Sequence, residues 1–428
     1  MTKHLGPPKG AGALAKRESR LAYALLLPTF VIVLGIVLGP LLANFWISFK
    51  PIELADLRAA APVVNEQLRP KPEVAGDEVI LRYRLRNSSR KDEIRGVTLT
   101  DTLPDGIAVT LNDDRCALDG RALACDFGTL AAGERLELKF PTVVGQTYLD
   151  NGIRARDTKA ILTGNSSNVL TSFTFTLDNF RKIFASDEFW TVLKVSLYYT
   201  IFGTVGALVL GLFAAQLLNT AFKGRNILRG LFLFPYVAPV IAVAFAWVLL
   251  LDAGPGGTLN ALFQRMGLTD GPINFLGQRA VPFSLFGMTF EFPVALTTVI
   301  AFEAWRYFPL SFLFILARMQ SISSEMYEAA EMDGATPLQQ FWSISLPQLV
   351  GILAVLFLLR FIWTFNKFDD IFLLTGGAAG TRTLTVDVYE QAFAVSNLGA
   401  GAAVAVVVFI VLLFFALIFF RFSPQDDG

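Results

Sequence analysis

Apolar residues in this chain come in long blocks rather than in alternation. Leu21 to Phe49, Val195 to Phe222, Gly230 to Leu251 and Gly399 to Phe420 each run without a charged residue. A helix needs about 20 apolar residues to cross a bilayer core, and buried soluble helices rarely stay charge-free for so long. Two further stretches are long enough but carry charge. Phe292–Ala317 holds Glu303 and Arg306, and Leu349–Leu374 holds Arg360, Lys367, Asp369 and Asp370. Counting both predicts six spans, over about 21–49, 190–221, 229–252, 292–317, 348–374 and 399–421.

Between the first two spans the pattern changes to period two. "EVILRYRLRN", "GVTLTDTLP" and "LELKFPTVV" are short β patterns, and the alternation in Val79–Arg86 and Leu136–Phe140 predicts half-buried strands. Gly, Pro, Asn and Asp clusters separate them as turns. Residues 50–172 are numerous enough for one independent core. The expected fold is an all-α polytopic membrane protein carrying an inserted β domain.

Charge orients this array. Residues 1–20 are a basic tail with Lys3, Lys9, Lys16, Arg17 and Arg20. The apolar run that follows is too long for a cleaved signal, so an uncleaved anchor with a cytoplasmic N-terminus is expected. Lys223 and Arg225, Arg318, and the C-terminal Arg421 then fall on the cytoplasmic side, as positive-inside asymmetry asks, although Arg265 and Arg279 fall outside. The β domain becomes extracytoplasmic, residues 321–347 face the cytoplasm, and both termini are cytoplasmic.

Composition narrows the chemistry. The chain is 54% hydrophobic and 17% charged, where a soluble domain carries about a quarter charged residues. Its net charge of zero suggests no nucleic-acid partner. The one histidine, His4, lies in a Gly/Pro-rich tail, which removes most histidine-based acid–base, triad and metal chemistry; no metal and no cofactor is expected. Cys116 and Cys125 flank "ALDGRALA", whose Asp119-Gly120 is a hairpin turn signal. Hairpin partners come within disulfide reach and the exterior permits oxidation. A bridge is expected, with two free thiols as the alternative.

The polar stretch Ser323–Pro347 is written as capped helices. Ser323 or Ser324 can cap a helix with Glu325 in its first turn. Gly334 suits a left-handed helix end, and Thr336-Pro337 restarts a second short helix whose apolar side holds Phe341, Trp342 and Ile344. Leu346-Pro347 opens the next span. On pattern alone this is either an interfacial linker or a docking surface.

"EAAEMDGATPLQQFWSISLP" resembles the signature of the integral-membrane subunits of bacterial ABC importers, with Glu328, Ala329, Ala330, Gly334, Ile344, Leu346 and Pro347 at the family spacing. The resemblance implies that 321–347, Asp333 included, is a coupling loop docking on a cytoplasmic ATPase, with Glu328 in ionic contact and Gly334 allowing the turn. "FTLDNFRKIF", "FLFPYVAPVIAVAFAW", "NFLG" and "FNKFDDIFLLTGG" are similar to carbohydrate-importer permeases, maltose-type ones above all. This implies an ABC importer permease fold of six transmembrane helices, its core over 173–428, in a bacterial inner membrane. It implies a heterodimer with a second permease, two ATPase subunits, an extracytoplasmic solute-binding protein, and a sugar such as maltose or maltodextrin. The chain itself would be no enzyme, in keeping with the lack of a G-x-x-x-x-G-K-[ST] loop.

By the same resemblance, aligned on "AWRYFP" and "FNKF", the solute contacts are Glu303, Arg306, Tyr307, Leu310, Trp363, Thr364 and Asp369. From the charges alone, internal ion pairs are an equal reading, and Glu303 and Arg306, three apart, are expected to pair. Arg318 and Arg360 are expected to reach lipid headgroups or the partner. The insert departs from the family: "GDEVILRYRLRNSS", "VTLTDTLPDGI" and "CALDGRALACDFGTLAAGERLELKF", within Pro72–Val144, resemble bacterial immunoglobulin-like repeats, implying a β-sandwich for stiffness or contact. The proline usual two residues before Glu325 is Ser323. Competing functions are an importer of another solute such as glycerol phosphate, which would want clustered arginines, and a membrane-anchored surface receptor or adhesion protein.

Overall fold

The computed structural model describes residues 13–57, 60–151, 157–254, 256–285 and 288–422. Residues 1–12, with His4 and most of the expected basic tail, lie outside that set. The chain divides into two compact units: Lys50–Thr176, and Met1–Phe49 together with Leu177–Gly428.

Among the described residues of the larger unit five helices are long and apolar enough to cross a membrane: Arg17–Ser48, Asp187–Asn219, Val294–Gln320, Pro337–Phe365 and Leu398–Phe422. A bilayer offers no water to the backbone, so a spanning segment must satisfy its own amides, and a helix does. The third expected span, 229–252, is broken. Arg225–Val237 and Val240–Leu250 meet at 93°, because Pro239 brings no N–H and forces Ala238 into extended backbone (ψ 144°). The number of crossings is six only if this bent pair counts as one.

The fifth expected span, 348–374, also needs correction. Its helix ends at Phe365, and a separate helix Asp369–Thr375 begins with Asp369 and Asp370 in its first turn, where the helix dipole favours carboxylates. At its other end this span does not start at Leu346. Pro337–Phe365 is one helix, and it widens into a π-helical stretch at Phe341–Ser345, where Leu346 N–H bonds to Phe341 O just ahead of Pro347.

The Asp187–Asn219 and Val294–Gln320 helices lie side by side. Gly203, Ala207, Gly211 and Ala215 recur every four residues and are all buried, forming one small-residue stripe. A Cβ on Gly203 would meet Glu303 Cγ at 2.8 Å, and one on Gly211 would meet Ser311 Cβ at 2.6 Å.

In the smaller unit two four-stranded sheets share one core. The strands are β1 (Pro62–Arg69), β2 (Glu78–Asn87), β3 (Ile94–Thr102), β4 (Ile107–Val109), β5 (Cys116–Asp119), β6 (Ala122–Leu130), β7 (Arg135–Val144) and β8 (Ile161–Ser166). Their orders are β1-β2-β7-β4 and β5-β6-β3-β8. The period-two alternation in β2 and β7 turns Leu81, Tyr83, Leu85, Leu138 and Phe140 inward to meet Val97, Leu99, Leu123 and Phe127. Cys116 and Cys125 are direct cross-strand partners in the β5–β6 hairpin and form a disulfide, with Cα atoms 4.0 Å apart.

Candidate functional site

Three groups of polar residues stand out, and the first lies between the apolar helices. Glu303 is fully buried. It takes three donors: the Arg360 guanidinium, Thr364 Oγ1 at 2.9 Å and Tyr199 OH at 3.0 Å. Arg360 and Thr364 are one helical turn apart, so Pro337–Phe365 presents both to the same carboxylate. The expected Glu303–Arg306 pair does not form. Arg306 points to the broken span, donating to Pro235 O and to Ala238 O, each at 3.1 Å. The break leaves helix-end carbonyls without amide partners in an apolar setting, and the guanidinium supplies them while complementing the helix terminus.

Around Tyr307 the charges converge. Arg360 and Lys367 lie 4.4 and 3.8 Å from its ring centroid, and the Lys367 ammonium donates to its hydroxyl. Asp370, fully buried, sits 3.7 Å from Lys367 Nζ and 4.0 Å from Arg306 Nε. Glu303, Arg306, Tyr307 and Thr364 therefore belong to one buried network, whereas Trp363 and Asp369 are exposed and Leu310 is half-buried. Arg360, expected at a headgroup or partner, is enclosed because Glu303 offers it the nearest compensation for its charge. Charges inside apolar runs had flagged Arg360, Lys367 and Asp370. Nothing in the local sequence marked Tyr199, whose role depends on the close helix packing at Gly203.

The second group is the Ser324–Met332 helix and its surroundings. Ser323 caps it, its side chain accepting from Glu325 N–H. Its end is closed by Gly334 (φ 79°), with Gly334 N–H bonded to Glu331 O and Ala335 N–H to Ala330 O, both at 2.9 Å. Thr336 and Gln339 form a capping box ahead of Pro337. The result is a rigid, bent segment that leaves Glu328, Ala329, Asp333, Gly334 and Pro347 exposed, and Ala330, Ile344 and Leu346 half-exposed. Met332, Leu338 and Trp342 are exposed too, at 89%, 67% and 60%, three large apolar side chains in one short segment left outside the core. Arg318, expected at a headgroup or partner, instead ties the segment's two ends, with Nη1 to Ser321 Oγ at 3.2 Å and Nε to Gln348 O at 3.3 Å.

The third group lies inside the sandwich. Tyr83 OH donates to Asp101 Oδ2 at 2.5 Å, and Glu66, paired in register with Tyr83, keeps 8% of its surface. Burial first, then the negative charge of Asp101, pushes the Glu66 carboxyl up to about 8. The same burial, with the bond to Asp101, pushes the Tyr83 phenol well up. Period-two alternation had marked Tyr83 as inward but said nothing of two acids meeting across the core.

A family model described as the inner membrane component of binding-protein-dependent transport systems matches residues 207–425. The inner membrane ABC transporter permease protein YcjO of Escherichia coli is 36% identical over 236 residues, 55% of this chain and 75% of that protein. The trehalose/maltose transport system permease protein MalF of Thermococcus litoralis is 32% identical over 246 residues, covering 57% and 78%. The sn-glycerol-3-phosphate permease protein UgpA of Agrobacterium fabrum is 28% identical over 253 residues, covering 58% and 80%. Among solved structures, a chain of a bacterial ABC transporter that imports the acidic polysaccharide alginate is similar in fold, with a TM-score of 0.51 at 22% identity over 59% of this chain and 86% of that one.

Proposed function

We propose, from the premise that this chain belongs to the family of binding-protein-dependent transport system inner membrane components, that it is the sugar-translocating permease of an ATP-driven importer. Members of this family are transport components with no catalytic activity of their own, and membership sets aside the adhesion reading. The observation that carries the proposal is the capped Ser324–Met332 segment, which holds Glu328 and Gly334 in fixed geometry beside exposed Met332 and Leu338. Such a segment suits a cytoplasmic ATPase that must grip the permease and displace it. A second permease in a heterodimer and an extracytoplasmic binding protein complete the assembly.

A sugar is favoured over a phosphate ester by how the cations are used. Arg306 is engaged by backbone carbonyls and Arg360 by Glu303, and Lys367 is held by Tyr307 and Asp370. A phosphate wants uncommitted guanidinium groups. Among the residues expected to touch solute, Trp363 offers an exposed ring face and Asp369 an exposed hydroxyl acceptor, while Glu303, Arg306 and Thr364 are buried and already hydrogen-bonded within the chain. The relative MalF, named for trehalose and maltose, supports the same class. The sandwich, with its cystine, suits an oxidising exterior and an immunoglobulin-like role in contact or stiffness.

Affinity purification of the full chain from native membranes is expected to bring down an ATPase subunit. Glu328→Lys and Gly334→Pro are expected to lower its recovery at least tenfold at unchanged permease yield, since each removes a charge or a turn the contact needs. Undiminished recovery by both variants rejects the proposal.

A further inference from the structure

The Ser324–Met332 helix is mostly exposed, yet it must be joined mechanically to the spans if its displacement is to do anything. Its backbone leads into the Pro337–Phe365 helix only through the bend at Asp333–Thr336, so side-chain contacts across that bend add a second, direct route for force. Among the described residues, two of its side chains reach across that bend. Tyr327 OH shares a hydrogen bond of 2.9 Å with Ser345 Oγ, and Met326 Sδ accepts weakly from Gln348 Nε2 at 3.6 Å. The first is the stronger by chemistry and distance, and Ser345 is only 2% exposed. It lies at the end of the π-helical stretch, at the foot of the apolar helix. The same helix carries Arg360 and Thr364, which hold Glu303, about 22 Å further along by helical rise.

We propose that Tyr327 is a positioning residue: through Ser345 it makes the Pro337–Phe365 helix the arm that carries motion of the Ser324–Met332 helix to the buried network at Glu303. This rests on the importer reading above. A free hydroxyl is not needed for the Ser324–Met332 helix to form, since its caps are Ser323 and Gly334. Nor does Tyr327 offer a charge to a docked protein; being half-buried, it faces its own chain. Tyr327→Phe therefore separates grip from transmission.

Cys116 and Cys125 are bridged and no other cysteine exists, so Val355→Cys, at an exposed position of the same helix, takes a single nitroxide label. The labelled full chain, purified with the ATPase and permease that accompany it, is compared before and after ATP and vanadate. The expected result is a spectral change in the otherwise wild-type protein that falls about three- to tenfold in Tyr327→Phe, the range one neutral hydrogen bond commands, with ATPase recovery and permease yield unchanged. Ser345→Ala is expected to match it, and the double variant to be no worse than either. A full-size change in Tyr327→Phe, or additive losses in the double variant, overturns the inference while leaving the importer reading intact. Absence of an accompanying ATPase, or of any change in the wild-type background, overturns that reading and this inference with it.

Discussion

Glu303 in the helical unit and Glu66 in the sandwich are both withdrawn from water, but their surroundings differ. Glu303 has a guanidinium and two hydroxyls directed at it. Glu66 has Asp101 and, more weakly, Asp157 as charged neighbours and, among the described residues, no lysine or arginine in an ion pair with it. The contrast teaches what a buried carboxylate requires. Helices that slide close on a stripe of glycine and alanine can bring long cationic side chains from a third helix to the acid. In the sandwich interior, filled by side chains from two sheets about 10 Å apart, the acid meets a phenol and a second carboxylate rather than a paired cation, and burial pushes its carboxyl up to about 8.

The comparison breaks most severely at Arg360. Arg360→Met leaves Glu303 buried without its cation, and removal of one member of a buried pair costs about 3–5 kcal/mol. The expected outcome, by thermal unfolding of the detergent-solubilised chain followed by size exclusion, is loss of most folded protein. Adding Glu303→Gln is expected to restore much of it, because the stranded charge is gone. A single variant that melts with the wild type would mean the pair compensates nothing.

The sandwich answers with the opposite dependence on pH. The Glu66 carboxyl rises from the usual 4.5 to about 8 in the folded state, so the folded form holds its proton more tightly than the unfolded form. Its contribution to stability is fully present below about 4.5, declines as pH climbs, and is lost above about 8. Pulse proteolysis of the full chain in urea, read on cuts within residues 50–176, is expected to show the unit weakening between pH 5 and 8 by on the order of 1–3 kcal/mol. Glu66→Gln, which cannot ionise, is expected to flatten that slope. A slope that survives the substitution assigns it to another group.

How much of this was legible in the sequence follows from which interactions are local. The apolar blocks, the β alternation, Ser323, Gly334 and Thr336-Pro337 are short-range signals, and the helices and caps lie where those signals stand. Pro239 was present too, but an apolar run of this length reads as continuous until the proline is weighed as a break. The partners of Glu303 and Arg306 were not legible. Three-residue spacing put them on one face, while their actual partners depend on distant segments: Arg360 on the Pro337–Phe365 helix, and the carbonyls of Pro235 and Ala238 exposed by a bend no periodicity announces. The proton on Glu66 depends likewise on strands brought together only by the fold.

The finest test of the contrast is Thr364. If Glu303 is held by several donors acting together, loss of the weakest should cost little, whereas an acid with one support would fail at once. Thr364→Val keeps the shape and the branched side chain but removes the hydroxyl that donates at 2.9 Å. Arg360 and Tyr199 remain directed at the same carboxylate, so the acid stays compensated and loses one hydroxyl donor of three, worth at most about 1.5–3 kcal/mol for a bond to a charged group. The expected readout is a melting temperature lowered by a few degrees at unchanged yield. In an Arg360→Met/Glu303→Gln background the same change should cost measurably less, since a neutral amide binds the hydroxyl less strongly than a carboxylate does. An equal penalty in both backgrounds would mean that Thr364 contributes through packing alone, and that Glu303 relies on its guanidinium much as Glu66 relies on its proton.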